Sequence, residues 1–202
     1  MNNWFNTKQS FENNGILSID EVPSNVSEWL LNNIPDKKFN DGLAGQINEE
    51  YGYDTRPQFI DEFILKKIEH PIIQYHLGKV KIIKEPKLIL QNLWINLQKK
   101  HEFNPLHNHT GILSFIIFLK VPYNLDDEMK VFPQASCEPM ASKLSFIVFD
   151  SLGEISELNV PVDKSFENRM IMFPAKLQHL VYPFYTSDDY RITCSGNISY
   201  FL

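Results

Sequence analysis

The chain has 202 residues, 43% of them apolar, 13% aromatic and 22% charged, a balance that supports a packed core without low-complexity filler. A net charge of −6 and a pI near 5.5, with no Lys/Arg-rich run along any predicted element, argue against a surface built to neutralise phosphates, so nucleic acid is not an expected partner. No stretch approaches the roughly 18 consecutive apolar residues of a spanning helix, and MNNWFNTKQS has neither a basic nor an apolar leader region, so a soluble, intracellular protein without membrane association is expected.

One domain over residues 1–202 is expected, with a mixed helical part over 1–86 bracing a β core over 87–202. The first helix is predicted near Asn25, where Asn25 and Glu28 have capping-box spacing and Val26, Trp29 and Leu30 repeat at i, i+3, i+4. It should stop near Pro35. The segment DGLAGQINEEYGYDTRP, residues 41–57, is polar and without period, which reads equally as a plain connection or as a flap over something. A second helix follows Pro57, with Phe59, Ile60, Phe63, Ile64 and Ile68 as its apolar stripe, and should end before Pro71.

From Lys87 the pattern changes to short apolar runs broken by Pro, Gly, Asn and Asp: KLILQNLWINLQ, ILSFIIFLKVP, SKLSFIVFD, RMIMFP, LQHLVYPF and YRITCSGNISYFL. These read as strands. Ile112 to Val121 is apolar on both alternating faces, which places it in the middle of a layered structure. Many short strands without intervening helices predict a mainly β fold, a sandwich or barrel. The two cysteines, Cys137 and Cys194, are too few for a disulfide framework and are read as free thiols.

His107 and His109 lie in NPLHNHTG, just before the apolar strand, and alternate residues of an extended chain point to one side. Neutral imidazoles are ligands for iron, zinc, copper and nickel. The third candidate is His179, in FPAKLQHLVYPF, which reaches the same spot only if the sheet folds back, as a barrel does. Taken singly, His107 and His109 would suit a polar loop and His179 a hydrogen-bonded core position. Arg191 follows His179 across a turn-like segment, Tyr185 to Asp189, so the flanking strands are expected to pair as a hairpin. Pro183 would then oppose Arg191, about 13 Å along the strand axis from His179. A dicarboxylate bound to a metal at one end would offer its other end to this guanidinium, whose fork of donors fits a carboxylate bidentately, with Thr193 adding a hydroxyl. The bland alternatives are an ion pair of Arg191 with Asp188 or Asp189, and an ordinary strand position for Thr193.

The stretch LWINLQKKHEFNPLHNHTGILSFIIFLKVP, followed by MFPAKLQHLVYPF and YRITCSGN, resembles the 2-oxoglutarate and iron(II)-dependent oxygenase superfamily, in particular small members found in bacteriophages and bacteria. The resemblance covers roughly residues 87–200. It implies a double-stranded β-helix, a jelly-roll or cupin-like barrel with supporting N-terminal helices, that holds iron(II) and uses 2-oxoglutarate and dioxygen as co-substrates. In that superfamily a His, an acidic residue two positions later and a distant His bind the metal, and a basic residue soon after the last His holds the 2-oxoglutarate tail. His107, His179 and Arg191 match three of those positions. His109 stands where the acidic ligand usually is, which raises the charge of the site by one unit. Three-histidine iron sites exist in the related thiol dioxygenases, so the resemblance implies either iron held by all three histidines, the preferred reading, or a vacant second position with another role for His109. The resemblance implies a hydroxylase, with a prolyl or other protein side chain among the substrates to consider. Competing readings are a non-catalytic jelly-roll binding or virion module, and a three-histidine metal cupin that does not use 2-oxoglutarate.

Overall fold

The computed structural model describes residues 10–39, 44–79, 87–134, 139–149 and 152–201. Cys137 lies outside them, while Cys194 is a buried free thiol. In chain order come β1 (Leu17–Ile19), α1 (Ser24–Asn32), β2 (Glu50–Gly52), α2 (Gln58–Lys66), α3 (Pro71–Lys79), β3 (Leu88–Gln98), β4 (Asn104–His107), β5 (Leu113–Lys120), α4 (Leu125–Met129), β6 (Leu144–Phe149), β7 (Ile155–Val160), β8 (Arg169–Pro174), β9 (His179–Val181) and β10 (Arg191–Tyr200). All strand pairs are antiparallel. They form a six-stranded sheet in the order β1-β8-β5-β10-β3-β2 and a four-stranded sheet in the order β4-β9-β6-β7. The fold is mainly β, a jelly roll whose second half returns over the first. Among the described residues no helix is long and apolar enough to cross a membrane.

The two-sided apolar character of β5 has a direct cause. Leu113, Phe115, Ile117 and Leu119 face outward and pack with Val26, Leu30, Ile60, Ile64 and Ile73 from the helices. The alternate residues Ile116 and Phe118 face inward, against Phe146, Phe166, Phe173 and Phe184 between the sheets. One strand therefore serves two cores, and each fully buried Phe, Leu or Ile contributes about 1.5–3 kcal/mol by leaving water. Gly196 of β10 lies opposite Phe115, and a Cβ there would stand 2.6 Å from that ring and 2.7 Å from the Asn92 carbonyl, so the close approach of these strands requires glycine.

The helices differ from expectation in detail. α1 opens at Ser24 with Pro23 before it and no side-chain cap, so Asn25 and Glu28 form no capping box; Asn25 already sits inside the first turn. α2 and its closing 3₁₀ turn, Lys67–Glu69, stop before Pro71, but α3 then starts at Pro71, a first helical position where the missing N–H is not needed. Within residues 41–57, Glu50–Gly52 forms a strand on β3, with Glu50 opposite Asn96.

The expected hairpin between the strands of His179 and Arg191 does not form. β9 pairs with β4 and β6 in the smaller sheet, and β10 pairs with β3 and β5 in the larger one. Residues 182–190 cross between the sheets. The buried Glu128 carboxylate holds this crossing by accepting hydrogen bonds from Tyr185 N (2.9 Å), Thr186 N (2.8 Å) and Thr186 Oγ1 (2.5 Å).

Candidate metal centre

β4 and β9 pair so that His107 lies directly opposite His179. β4 ends at His107, so His109 does not reach the cluster by strand alternation. It stands in the following loop, fixed by its own N–H donating to the Ala175 carbonyl (2.8 Å) at the end of β8. The three rings nevertheless converge: His107, His109 and His179 offer one nitrogen each, all within 4.8 Å of one another. Ring centroids are separated by 4.2 Å for His107 and His179, 4.9 Å for His107 and His109, and 5.0 Å for His109 and His179.

Backbone carbonyls orient two of the rings. His107 Nδ1 is 2.7 Å from the Pro105 oxygen and His179 Nδ1 is 3.0 Å from the Leu177 oxygen. A carbonyl only accepts, so each Nδ1 carries the proton and each Nε2 keeps its lone pair. His179 is 1% exposed and packs against the rings of Phe173 and Phe146. His109 lies beside Trp94. Burial lowers the basicity of all three, taking His109 to about 4 and His179 to about 3, with repulsion from His107 as a further cause for His109 and from His107 and His109 for His179. At neutral pH the cluster is three neutral nitrogen donors, a set that a borderline divalent ion such as iron(II) accepts without a proton having to leave.

The cavity at the cluster is lined also by Glu50, Trp94, Asn96, Asn104, Ile116 and Ser195. It adjoins a deeper recess that shares Asn96, Asn104, Ile116, Val181 and Ser195 with it and adds Gln98, Arg191 and Thr193. On β5 it is Ile116 and Phe118, not Phe115 and Ile117, that face this interior.

Arg191 is 1% exposed, and each N–H of its guanidinium has a protein partner. Nε and Nη2 donate to Gln98 Oε1 (3.1 and 2.6 Å), Nη1 to Tyr123 Oη (2.8 Å) and Ser142 O (3.0 Å), and Nη2 also to Tyr182 O (3.1 Å). Gln98 belongs to the larger sheet, while Tyr182 follows β9 of the smaller one, so the guanidinium ties the sheets together. All of these acceptors are neutral. The carboxylates considered for it are engaged elsewhere, Asp188 with Lys100 and Asp189 with Lys120. Thr193 Oγ1 accepts from Asn96 Nδ2 at 3.2 Å. Glu50, Gln98 and Asn104 carry no signal of a site in the sequence: Glu50 sits in a stretch without period, Gln98 closes a strand-like run, and Asn104 stands in a polar segment before His107.

A jelly roll with converging histidines at one end of its interior defines a class of metal-dependent β-helix proteins. Comparison makes this specific. The family model described as "Putative 2OG-Fe(II) oxygenase" matches residues 92–197. The chain belongs to this family of 2-oxoglutarate and iron(II)-dependent oxygenases, and its cofactors are those of the family, iron(II) and 2-oxoglutarate. Among solved structures, a prolyl-4-hydroxylase from Pseudomonas putida is similar over 98% of both chains, at 10% identity and a TM-score of 0.54. An oxidoreductase of the 2OG-Fe(II) oxygenase family from Burkholderia pseudomallei covers 98% of this chain and 91% of its own, at 12% identity and a TM-score of 0.52. HygX from Streptomyces hygroscopicus, solved with nickel, 2-oxoglutarate and hygromycin B bound, covers 96% and 85%, at 10% identity and a TM-score of 0.51. These likenesses establish the fold. No curated protein matches the chain significantly.

Proposed function

We propose that His107, His109 and His179 hold the iron(II), that Arg191 with Thr193 receives the distal carboxylate of 2-oxoglutarate, and that the enzyme hydroxylates a side chain or small molecule entering beside Glu50. The single observation that carries this reading is the pairing of a three-imidazole cluster with a buried guanidinium at the two ends of adjoining cavities that share their walls. Iron(II) held there would supply activation of dioxygen, one oxygen atom going into succinate as the oxo acid loses carbon dioxide and the other into a C–H bond of the substrate as a hydroxyl. The chain's own residues hold the donors neutral and oriented, keep the interior dry with Phe146 and Phe173, and aim the reactants.

A buried cation surrounded by neutral acceptors is an incomplete arrangement, since a charge taken from water is stabilised best by an opposite charge. An arriving carboxylate supplies it. Gln98 Oε1, which accepts from both Nε and Nη2, occupies the guanidinium edge that a carboxylate would take, so co-substrate binding displaces the Gln98 carboxamide. The family match and this guanidinium favour an oxygenase over a binding module or a cupin that uses no oxo acid.

Two substitutions test the assignment. His179→Ala should abolish iron(II) binding measured by anaerobic equilibrium dialysis. Arg191→Lys, which keeps the charge but loses the fork, should leave iron binding intact and weaken 2-oxoglutarate by about ten- to a hundredfold. Native 2-oxoglutarate affinity in the Arg191→Lys variant would remove that residue from the site.

A further inference from the structure

One side of the histidine cavity is lined by acceptors that have no donor. Glu50 is 2% exposed, and among the described residues its carboxyl makes no hydrogen bond and no ion pair. Lys99 pairs with the adjacent Glu49, and the charge acting on Glu50 is the like charge of Glu102. Asn96 is 5% exposed; its Nδ2 is tied to Thr193, and its Oδ1 is buried without a partner. Asn104 Oδ1 is likewise buried and unpartnered. A Cβ placed on Gly45 would touch both Asn104 Oδ1 and, at 3.0 Å, Glu50 Oε1, so the absence of a side chain at Gly45 keeps these oxygens uncovered.

Buried acceptors without donors are costly, and a native fold retains them where something else supplies the donors. A ligand bearing only carbonyl or carboxylate oxygens would add acceptors to acceptors. A ligand bearing several N–H groups and a positive charge answers both deficits at once. We propose that this corner recognises a cationic group of the primary substrate, an alkylammonium or alkylguanidinium, with the Glu50 carboxylate as counter-charge and the Asn96 and Asn104 carbonyl oxygens as further acceptors. Burial and the charge of Glu102 push the Glu50 carboxyl up to about 7, as befits an anion whose cation arrives with the ligand. Because Glu50 lines the same cavity as the three histidines, the cationic end enters beside the metal centre, and the oxidised carbon belongs to the chain that carries it. This deepens the oxygenase reading for the fate of the substrate; the recognition of the cation stands on Glu50, Asn96 and Asn104 alone.

Anaerobic calorimetry of the protein loaded with iron(II) and 2-oxoglutarate, using n-butylguanidinium and n-butylammonium as probes and n-butanol and butyrate as controls, tests it. A cation should bind saturably and at least tenfold more tightly than n-butanol, butyrate should not bind, and this preference should fall at least tenfold in Glu50→Gln. Equal affinity for cation and alcohol, no saturable binding of either cation, or a preference that survives in Glu50→Gln would overturn the proposal. The 2-oxoglutarate affinity, measured in the same preparations, should match between the native protein and the variant. Failure of 2-oxoglutarate to bind the native protein would count against the oxygenase reading instead, and the cation comparison would then be decided on the iron-free protein.

Discussion

At the scale of single residues, the histidine cluster makes the metal-free protein sensitive to acid. An imidazole titrates near 6.5 when unfolded, and burial holds all three rings below that in the fold. By about pH 7.5, a unit above that value, they are neutral in both states and add no pH dependence. Below it the unfolded chain binds more protons, so stability falls as pH drops from 6.5 toward the folded values of about 4 for His109 and about 3 for His179. For a ring as buried as His179 the loss between pH 6.5 and 5 is about 2 kcal/mol. Urea denaturation of iron-free protein at pH 7.5 and 5.0 measures it. A His107→Gln, His179→Gln double variant should lose much less over that interval, and an equal loss in the two proteins would show that other groups dominate.

The same residues mark what the sequence could disclose. That His107, His109 and His179 come together was legible, because their setting among strand-like runs was clear. How His109 arrives was not: alternation along a strand suggested it, whereas a loop anchored on the Ala175 carbonyl delivers it. Arg191 was legible as a cation near the site, but its saturation by Gln98, Tyr123 and two carbonyls depends on side chains far apart in the chain.

Among the elements, β5 contributes side chains to both cores. Phe115→Ala removes a ring that is 1% exposed from the interface of sheet and helices, and should cost about 3–5 kcal/mol in urea unfolding while leaving iron(II) affinity of the folded protein unchanged, since this side chain faces away from the site. A weakened iron affinity would mean that the two faces of the strand are coupled. The crossing between β9 and β10 has its own support. Glu128→Ala strips the partners from Tyr185 N, Thr186 N and the Thr186 hydroxyl, and hydrogen bonds to a buried charge are worth about 1.5–3 kcal/mol each, so the variant should unfold at clearly lower urea. An unchanged midpoint would show that the crossing needs no carboxylate. Strands β3, β5, β6, β8, β9 and β10 all lie within predicted runs. The short β1, β2, β4 and β7 escaped, because three to six residues of mixed polarity carry no period that stands out from a loop. The hairpin expected for β9 and β10 failed for a physical reason: sequence nearness favours a turn, but the two strands belong to different sheets and the buried Glu128 holds the segment that crosses between them.

At the scale of the whole molecule, the jelly roll creates the site by returning one sheet over the other. His107 and His179 come from the smaller sheet, Gln98, Arg191 and Thr193 from the larger, and the cavities between them link the imidazole cluster to the guanidinium. The outer helices cover the far face of the larger sheet and leave that interior free. A dicarboxylate spanning the interior would bind both ends at once, which makes the metal and the co-substrate mutually dependent. The most direct test is anaerobic titration of the iron(II)-loaded protein with 2-oxoglutarate, watched for the weak visible metal-to-ligand charge-transfer band of the chelate. The band should appear and saturate in the native protein and be absent in His179→Ala; iron bound with no band at any 2-oxoglutarate concentration would contradict chelation at the three histidines.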